Sequence, residues 1–133
     1  AQSNARQPQC YSVYYEVHLS ARQFGPRLNR GDHARIACAA LRRAMNADAE
    51  FARMMESSVP GLQSALARGK LPDTMTWHHA LVTQTTPNAP GALHLVERAQ
   101  HNPSSPFWRV FHPNGYGGYV QWAIPNGAKP NRK

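Results

Sequence analysis

The hydrophobic pattern of the chain changes its period near Pro72, and this change constrains the fold more than any other feature. Between residues 32 and 67, apolar residues recur at the spacing of an amphipathic helix. After Pro72, β-prone stretches at 75–82 and 92–96 flank a segment rich in Thr, Pro, Asn and Gly, which predicts a turn. We therefore expect an α+β domain in which an N-terminal helical segment precedes a β-hairpin.

Capping residues divide the helical lead-in, residues 32–72, into shorter helices. Asp32 is a suitable N-cap for a stripe that includes Leu41, and Asp48 is a suitable N-cap for the helix that follows. A third short helix is predicted at 62–67.

Weaker patterns complete the predicted organisation. Alternating apolar residues at 10–19 predict an N-terminal strand, and arginines mixed with Gly, Pro and Asn at 20–31 predict a basic loop. A short helix that carries His101 is expected to begin near Glu97, and residues 119–123 are expected to form a last strand. In chain order, the single compact domain is then a strand and basic loop at 1–31, the helical lead-in at 32–72 and a core at 73–133.

The charge balance indicates a polyanionic partner. The chain has 15 Lys and Arg against 7 Asp and Glu, a formal net charge of +8. Nucleic acid, an acidic membrane surface and an acidic protein all fit this charge. No run approaches the roughly 18 apolar residues of a membrane span, and a first residue other than Met predicts a domain trimmed from a longer chain.

Histidine is the second indication of function, because the chain has 7 of them. Neutral imidazole is the commonest protein ligand of transition metals and the usual general base near neutral pH. The chain has only 7 Asp and Glu residues, which disfavours a metal site built from carboxylates and the pair of catalytic carboxylates of a glycosidase. The histidines that fall in the β-prone half are His78, His79, His94, His101 and His112.

His78 and His79 can share a site only under one condition. Adjacent residues on a regular strand point to opposite faces of the sheet. Both rings reach one site if the strand is bulged, twisted or ending there, and the approaching turn favours this. A hairpin followed by a helix can then bring His101 close to them, which suits a site with two or three ligands and a base.

Other site types fit the sequence less well. Cys10 and Cys38 do not have zinc-ribbon spacing, and the sequence leaves open whether they pair. The chain has neither a Gly-x-Ser-x-Gly motif nor a phosphate-cradling glycine loop. We interpret His18 and His33 as ordinary structural or surface residues.

Four stretches of the sequence carry a family resemblance: Trp77-His78-His79, Leu93-His94-Leu95-Val96, Gln100-His101 and the run from His112 to Gly118. Together they resemble the toxin branch of the HNH nucleases. These are the WHH- and LHH-type His-Me-finger (ββα-metal) domains at the C-termini of bacterial polymorphic toxins.

The resemblance assigns roles by position. It implies that His78 is the first metal ligand, His79 the general base and His101 the second ligand. It makes His112 the third ligand or a phosphate contact. It also implies one divalent metal ion (Mg, Mn, Zn or Ni) in a ββα-metal core within 73–133.

Two residues depart from the family pattern. His94 occupies the middle, Asn-like position of the signature, where relatives have Gln or another polar residue, so its task of holding the hairpin loop is left open. Glu97 replaces the family's proline, and it can bind metal or simply begin the predicted helix.

The implied function is that of a metal-dependent, non-specific endonuclease, with DNA as its substrate. The resemblance further implies an antibacterial toxin effector, delivered into the cytoplasm of the target cell and neutralised by an acidic immunity protein, with no membrane partner. Arg35, Arg98 and Arg109 are expected to contact phosphates. Two alternatives stay open, a non-catalytic nucleic-acid-binding module and an RNase on the same scaffold.

Overall fold

The computed structural model of the protein describes residues 10–130 and has a mixed α+β fold, as the sequence predicts. In chain order, its strands and helices are β1 (Tyr15–His18), α1 (Ala21–Phe24), α2 (Arg30–Ala47), α3 (Ala49–Ser58), α4 (Leu62–Ala67), β2 (Met75–His79), β3 (Ala92–Glu97) and α5 (Trp108–Phe111). Short 3₁₀ turns lie at Val82–Gln84, Pro113–Gly115 and Ile124–Asn126, and a π-helical turn lies at Tyr119–Ala123.

The strands form a small antiparallel sheet in the order β1-β3-β2. The predicted hairpin is confirmed, because β2 and β3 pair directly and place His78 opposite His94 and His79 opposite Leu93. β1 pairs with the other edge of β3 and sets Glu16 opposite His94. β3 is therefore the central strand. Its residue His94 lies opposite Glu16 of β1 on one side and opposite His78 of β2 on the other.

The helix starts follow capping chemistry, with two corrections to the sequence prediction. Asn29, and not Asp32, is the N-cap of α2, because each of these side chains accepts a hydrogen bond of 2.9 Å from the other residue's backbone N–H. This reciprocal pair starts the helix earlier than predicted, at Arg30. A similar box begins α1 inside the segment predicted as a loop. The Asp48 prediction is confirmed, since its carboxylate accepts from two N–H groups of α3.

One apolar cluster joins the helices to the sheet. Leu93 and Leu95 of β3 are fully buried and share this cluster with Leu41 of α2. The indole N–H of Trp77 on β2 donates to the sulfur of Cys38 on α2 at 3.4 Å. Burial of each large apolar side chain contributes on the order of 2 kcal/mol, so the helices fix the position of the hairpin.

The two cysteines do not form a disulfide. Cys10 is exposed and Cys38 is buried, and both are free thiols. No helix within residues 10–130 is both long enough and apolar enough to cross a bilayer.

His101 lies in a turn rather than on the predicted helix. Its backbone N–H donates to the carbonyl of Glu97 at 3.0 Å, but this single turn does not continue. Pro103 explains the difference, because proline lacks an N–H and disfavours helical geometry at the residue before it. The next helix is α5, and His112 follows its last residue.

Residues 119–123 form the π-helical turn and not the predicted strand. Tyr119, Trp122 and Ala123 are all buried, and their spacing of three and four residues is helical. The glycine run just before this turn passes close to the end of β2. A Cβ atom at Gly118 would lie 2.7 Å from the carbonyl oxygen of His79, so only glycine allows this approach.

Candidate metal centre

Three histidines from separate elements converge beside the hairpin. His78 comes from β2, His101 from the turn after β3 and His112 from the end of α5. Each offers one ligand atom, and these atoms all lie within 4.8 Å of one another. The ring centroids are separated by 5.1 Å (His78 to His101), 5.2 Å (His78 to His112) and 5.0 Å (His101 to His112), a nearly equilateral triangle.

Gln84 fixes the tautomer of His78. The Gln84 amide nitrogen donates to the carbonyls of Val110 and Phe111 at 2.8 and 3.1 Å, and its oxygen accepts from the N–H of Leu81 at 2.9 Å. The same oxygen lies 2.9 Å from Nε2 of His78, so Nε2 must carry the proton. The lone pair of neutral His78 is therefore on Nδ1, the nitrogen that is left to bind a metal.

The spacing of the nitrogens fits a shared cation. Nδ1 of His78 lies 3.2 Å from Nε2 of His101. Two imidazoles bound tetrahedrally at the usual zinc distance of about 2.0–2.1 Å have their nitrogens about 3.3 Å apart. Nδ1 of His112 is buried without a hydrogen-bond partner among residues 10–130, so this ring is not fully satisfied by the protein.

All three imidazoles are in the ligand form at neutral pH. Burial is the main cause that lowers the pKa of His78, His101 and His112, and the pKa of His101 falls to about 4. Mutual repulsion within the cluster adds to the effect, since His112 further lowers the pKa of His101. Because a metal binds neutral imidazole, no proton needs to leave these rings on binding at pH 7.

His79 reaches the same cavity from the other side of β2. Its ring contacts those of His33, Tyr119 and Trp122, at centroid distances of 5.1, 5.2 and 5.7 Å. The ring of His78 instead contacts those of His101 and His112, and we call these three histidines the triad. Both rings nevertheless line one cavity of about 340 Å³. The strand ends at His79, so the cavity at its end is open to both faces, which meets the condition stated from the sequence.

His33 is a site residue that the sequence interpretation missed. It is fully buried on α2, and its Nδ1 lies 2.9 Å from Nε2 of His79. The sequence contained one indication that His33 is buried. His33, Ala37 and Leu41 follow each other at intervals of four residues, which places them on the same buried stripe of α2. A histidine on an apolar stripe requires a buried hydrogen-bond partner.

His94 and Glu97 lie outside the triad. Nε2 of His94 lies 2.7 Å from the Glu16 carboxylate, and Nδ1 lies 2.7 Å from the hydroxyl of Tyr11. The Tyr11 hydroxyl also reaches the oxygen of Gln84 at 3.3 Å, and the rings of His94 and His78 lie 6.4 Å apart, so His94 packs beside the candidate ligand His78 without joining the cluster. Glu97 accepts a hydrogen bond of 2.5 Å from Tyr14.

Among residues 10–130, one arginine lines the cavity and further cations line a cleft beside it, but not all the predicted ones do so. Arg30, which belongs to the arginine-containing segment predicted as a basic loop, lines the cavity and stacks over Tyr119 at 4.2 Å. Arg35 and Arg98 line an adjoining cleft of about 480 Å³ that also reaches His79 and His101. The predicted phosphate contact Arg109 is exposed on α5 and lines neither cavity. The cavity's complete lining is Arg30, Trp77, His78, His79, His101, Trp108, His112, Gly115, Gly117, Gly118, Tyr119 and Val120.

Isothermal titration calorimetry with Zn²⁺ or Ni²⁺ at pH 7 is expected to give one equivalent bound. His101→Ala should weaken binding by more than the roughly 10- to 100-fold that loss of an outer-shell partner costs, because it removes a ligand itself. The exposed His18 supplies a matched control, and His18→Ala should bind as the unaltered chain does. Equal affinity of the His101 and His18 variants would show that the triad is not a metal site.

Comparison with protein-family models, with curated proteins and with solved structures gave no match for this chain. A function for this chain therefore has to be inferred from the geometry and electrostatics of the site.

Proposed function

We propose that the protein is a metal-dependent endonuclease that hydrolyses phosphodiester bonds, with DNA as its substrate. The observation that carries the proposal is the combination of a three-histidine ligand set with a fourth histidine, His79, in the same cavity. A metal triad alone would suit a structural ion. An additional neutral imidazole beside it supplies the base that hydrolysis of a phosphodiester requires.

The fold around this site supports a ββα-metal interpretation. The antiparallel pair β2 and β3 supplies His78 and His79, and α5 is followed by His112. This arrangement differs from the sequence expectation in one respect, since His101 is on the connecting turn and not on a helix.

The chain's own residues divide the catalytic work. His78, His101 and His112 would hold the divalent ion, and when bound it would supply positive charge to polarise a phosphate oxygen and to stabilise the departing oxygen. His79 takes a proton from the attacking water, and burial lowers its pKa, so the ring is neutral at pH 7 and has a lone pair available. Arg30, at the cavity wall, contributes positive charge where a phosphate would enter.

The basic clefts suit a substrate that is recognised through its backbone. Arg30, Arg35, Lys70 and Arg98 line the cleft that joins the cavity. Contacts of this kind bind phosphates without reading sequence, and they predict cleavage with little sequence preference. The same positive surface would attract an acidic immunity protein that blocks the cleft, and we include in the proposal the role of an antibacterial toxin effector that acts in the cytoplasm of a target cell.

Plasmid nicking with a panel of divalent metals tests the proposed activity. We expect supercoiled plasmid to become relaxed and then linear with at least one of Mg²⁺, Mn²⁺, Zn²⁺ and Ni²⁺, and EDTA to stop the reaction. An RNA of similar length, incubated in parallel, separates a DNase from an RNase. Tight binding of DNA without cleavage in any metal would instead identify a non-catalytic binding module.

The salt dependence of DNA binding tests the role of the cleft. With EDTA present, the logarithm of the association constant should fall linearly with the logarithm of salt concentration, by about 0.9 per phosphate contact. Arg35→Ala should reduce this slope by about one, because it removes one contact. Arg53, exposed on α3 and outside the cleft, gives the control Arg53→Ala. Fluorescence anisotropy of a short duplex measures both slopes, and equal slopes for the two variants would exclude Arg35 from the interface.

A further inference from the structure

The tautomer of His79 is connected to a backbone carbonyl through a second buried histidine. Nε2 of His33 lies 3.1 Å from the carbonyl oxygen of Phe24, at the end of α1. A carbonyl oxygen can only accept, so Nε2 of His33 must donate. A neutral His33 then has its lone pair on Nδ1, the atom 2.9 Å from Nε2 of His79.

This chain of hydrogen bonds has a single direction. Nε2 of His79 must carry the proton that Nδ1 of His33 accepts, and the lone pair of His79 is left on Nδ1. The opposite tautomer of His79 would point its lone pair at that of His33, and a flipped tautomer of His33 would lose the bond to Phe24. We infer that His33 is a positioning residue, which fixes Nδ1 as the basic nitrogen of His79.

The burial of the pair makes this constraint strong. His33 is fully buried, and His79 is 7 % exposed. In such surroundings, a polar ring atom without a partner costs about 1–3 kcal/mol, so each alternative tautomer is disfavoured by at least one lost bond. Trp122 contacts both rings, at centroid distances of 6.3 Å to His33 and 5.7 Å to His79, and this packing limits their rotation.

The role is distinct from that of the metal ligands. His33 is not one of the three clustered ligands, and it reaches the cavity only through His79. Loss of His33 is therefore expected to leave metal binding unchanged and to act on the proton-accepting step. The inference rests on the proposed function only for that last consequence, since the tautomer itself is a property of the free protein.

Two variants of His33 and two measurements test the inference. Long-range ¹H–¹⁵N correlation spectra of the imidazoles assign the protonated nitrogen of His79, and plasmid cleavage with saturating metal gives kcat and KM. In the unaltered protein, we expect the proton on Nε2. His33→Leu should mix the tautomers and lower kcat by about 10- to 100-fold, the usual effect of losing a residue that orients a site group, with KM and metal affinity unchanged. His33→Gln keeps an acceptor and a donor, so it should restore the tautomer and most of kcat.

The outcomes separate this inference from the proposed function. A proton on Nδ1 of His79 in the unaltered protein would overturn the inference, even if the His33 variants fail to fold. Cleavage at the original rate by a folded His33→Leu would also overturn it and would leave the nuclease proposal in place. If the unaltered protein cleaves nothing, the nuclease proposal fails, and the spectra alone decide whether His33 fixes the tautomer.

Discussion

Replacement of His79 by alanine should lower the rate of plasmid cleavage by about 10²- to 10⁴-fold, the usual contribution of a positioned general base. The three candidate ligands, His78, His101 and His112, do not include His79, so one equivalent of metal should still bind to the variant. This pattern separates His79 from the ligands, because loss of a ligand should remove metal binding and cleavage together.

Chemical rescue makes the His79 prediction more specific. His79→Ala removes a ring from a cavity of about 340 Å³, which leaves room for a free imidazole molecule. Added imidazole should restore part of the cleavage rate, and the gain should saturate with its concentration. The control is His78→Ala, for which free imidazole is not tied to the metal by the chain and should restore much less. Cleavage by His79→Ala at the original rate would refute the base assignment.

The sequence predicted the part of the site that depends on local periodicity. β2 and β3 carry clear β-prone stretches on either side of a turn, so their antiparallel pairing could be expected. The meeting of His78 and His101 also followed from a short connection, because the turn after β3 leaves His101 few places to lie. The fold class followed from the change of period at Pro72.

Long-range contacts, together with a choice between two possible N-caps of α2, account for what the sequence did not predict. His33 is 46 residues from His79 and on a different element, so no spacing rule connects them. The sequence analysis chose Asp32 as the N-cap of α2 and so left Arg30 in the preceding loop. In the structure Asn29 is the N-cap, and Arg30 is therefore the first residue of the helix. Residues 119–123 have apolar residues that fit either period, and the burial of Tyr119 with Trp122 decides for the helical one.

Acidification from pH 7 to pH 5 should strongly destabilise the metal-free protein. Burial is the largest cause that lowers the pKa of every histidine in the group formed by His33, His78, His79, His94, His101 and His112. The unfolded chain, with ordinary histidine pKa values near 6.5, therefore binds more protons than the folded protein as the pH falls below that value. Stability is complete above about pH 7 and is lost progressively as the pH approaches the folded-state values.

His101 sets a scale for this effect. A fall of its pKa from 6.5 to about 4 corresponds to a loss of about 2 kcal/mol at pH 5. The other buried histidines act with the same sign, and a small domain has only about 5–15 kcal/mol of stability in total. We therefore expect the free energy of unfolding to fall by several kcal/mol over these two pH units.

Urea denaturation at pH 7 and pH 5, with EDTA present to exclude bound metal, measures this loss. His101→Asn should reduce the difference in unfolding free energy between the two pH values by about 2 kcal/mol, because it removes one of the titrating groups. Equal stability of the unaltered protein at the two pH values would mean that the imidazoles bind protons as readily in the folded protein as in the unfolded chain. The ligand set would then lack the desolvated, proton-free character on which metal binding at neutral pH depends.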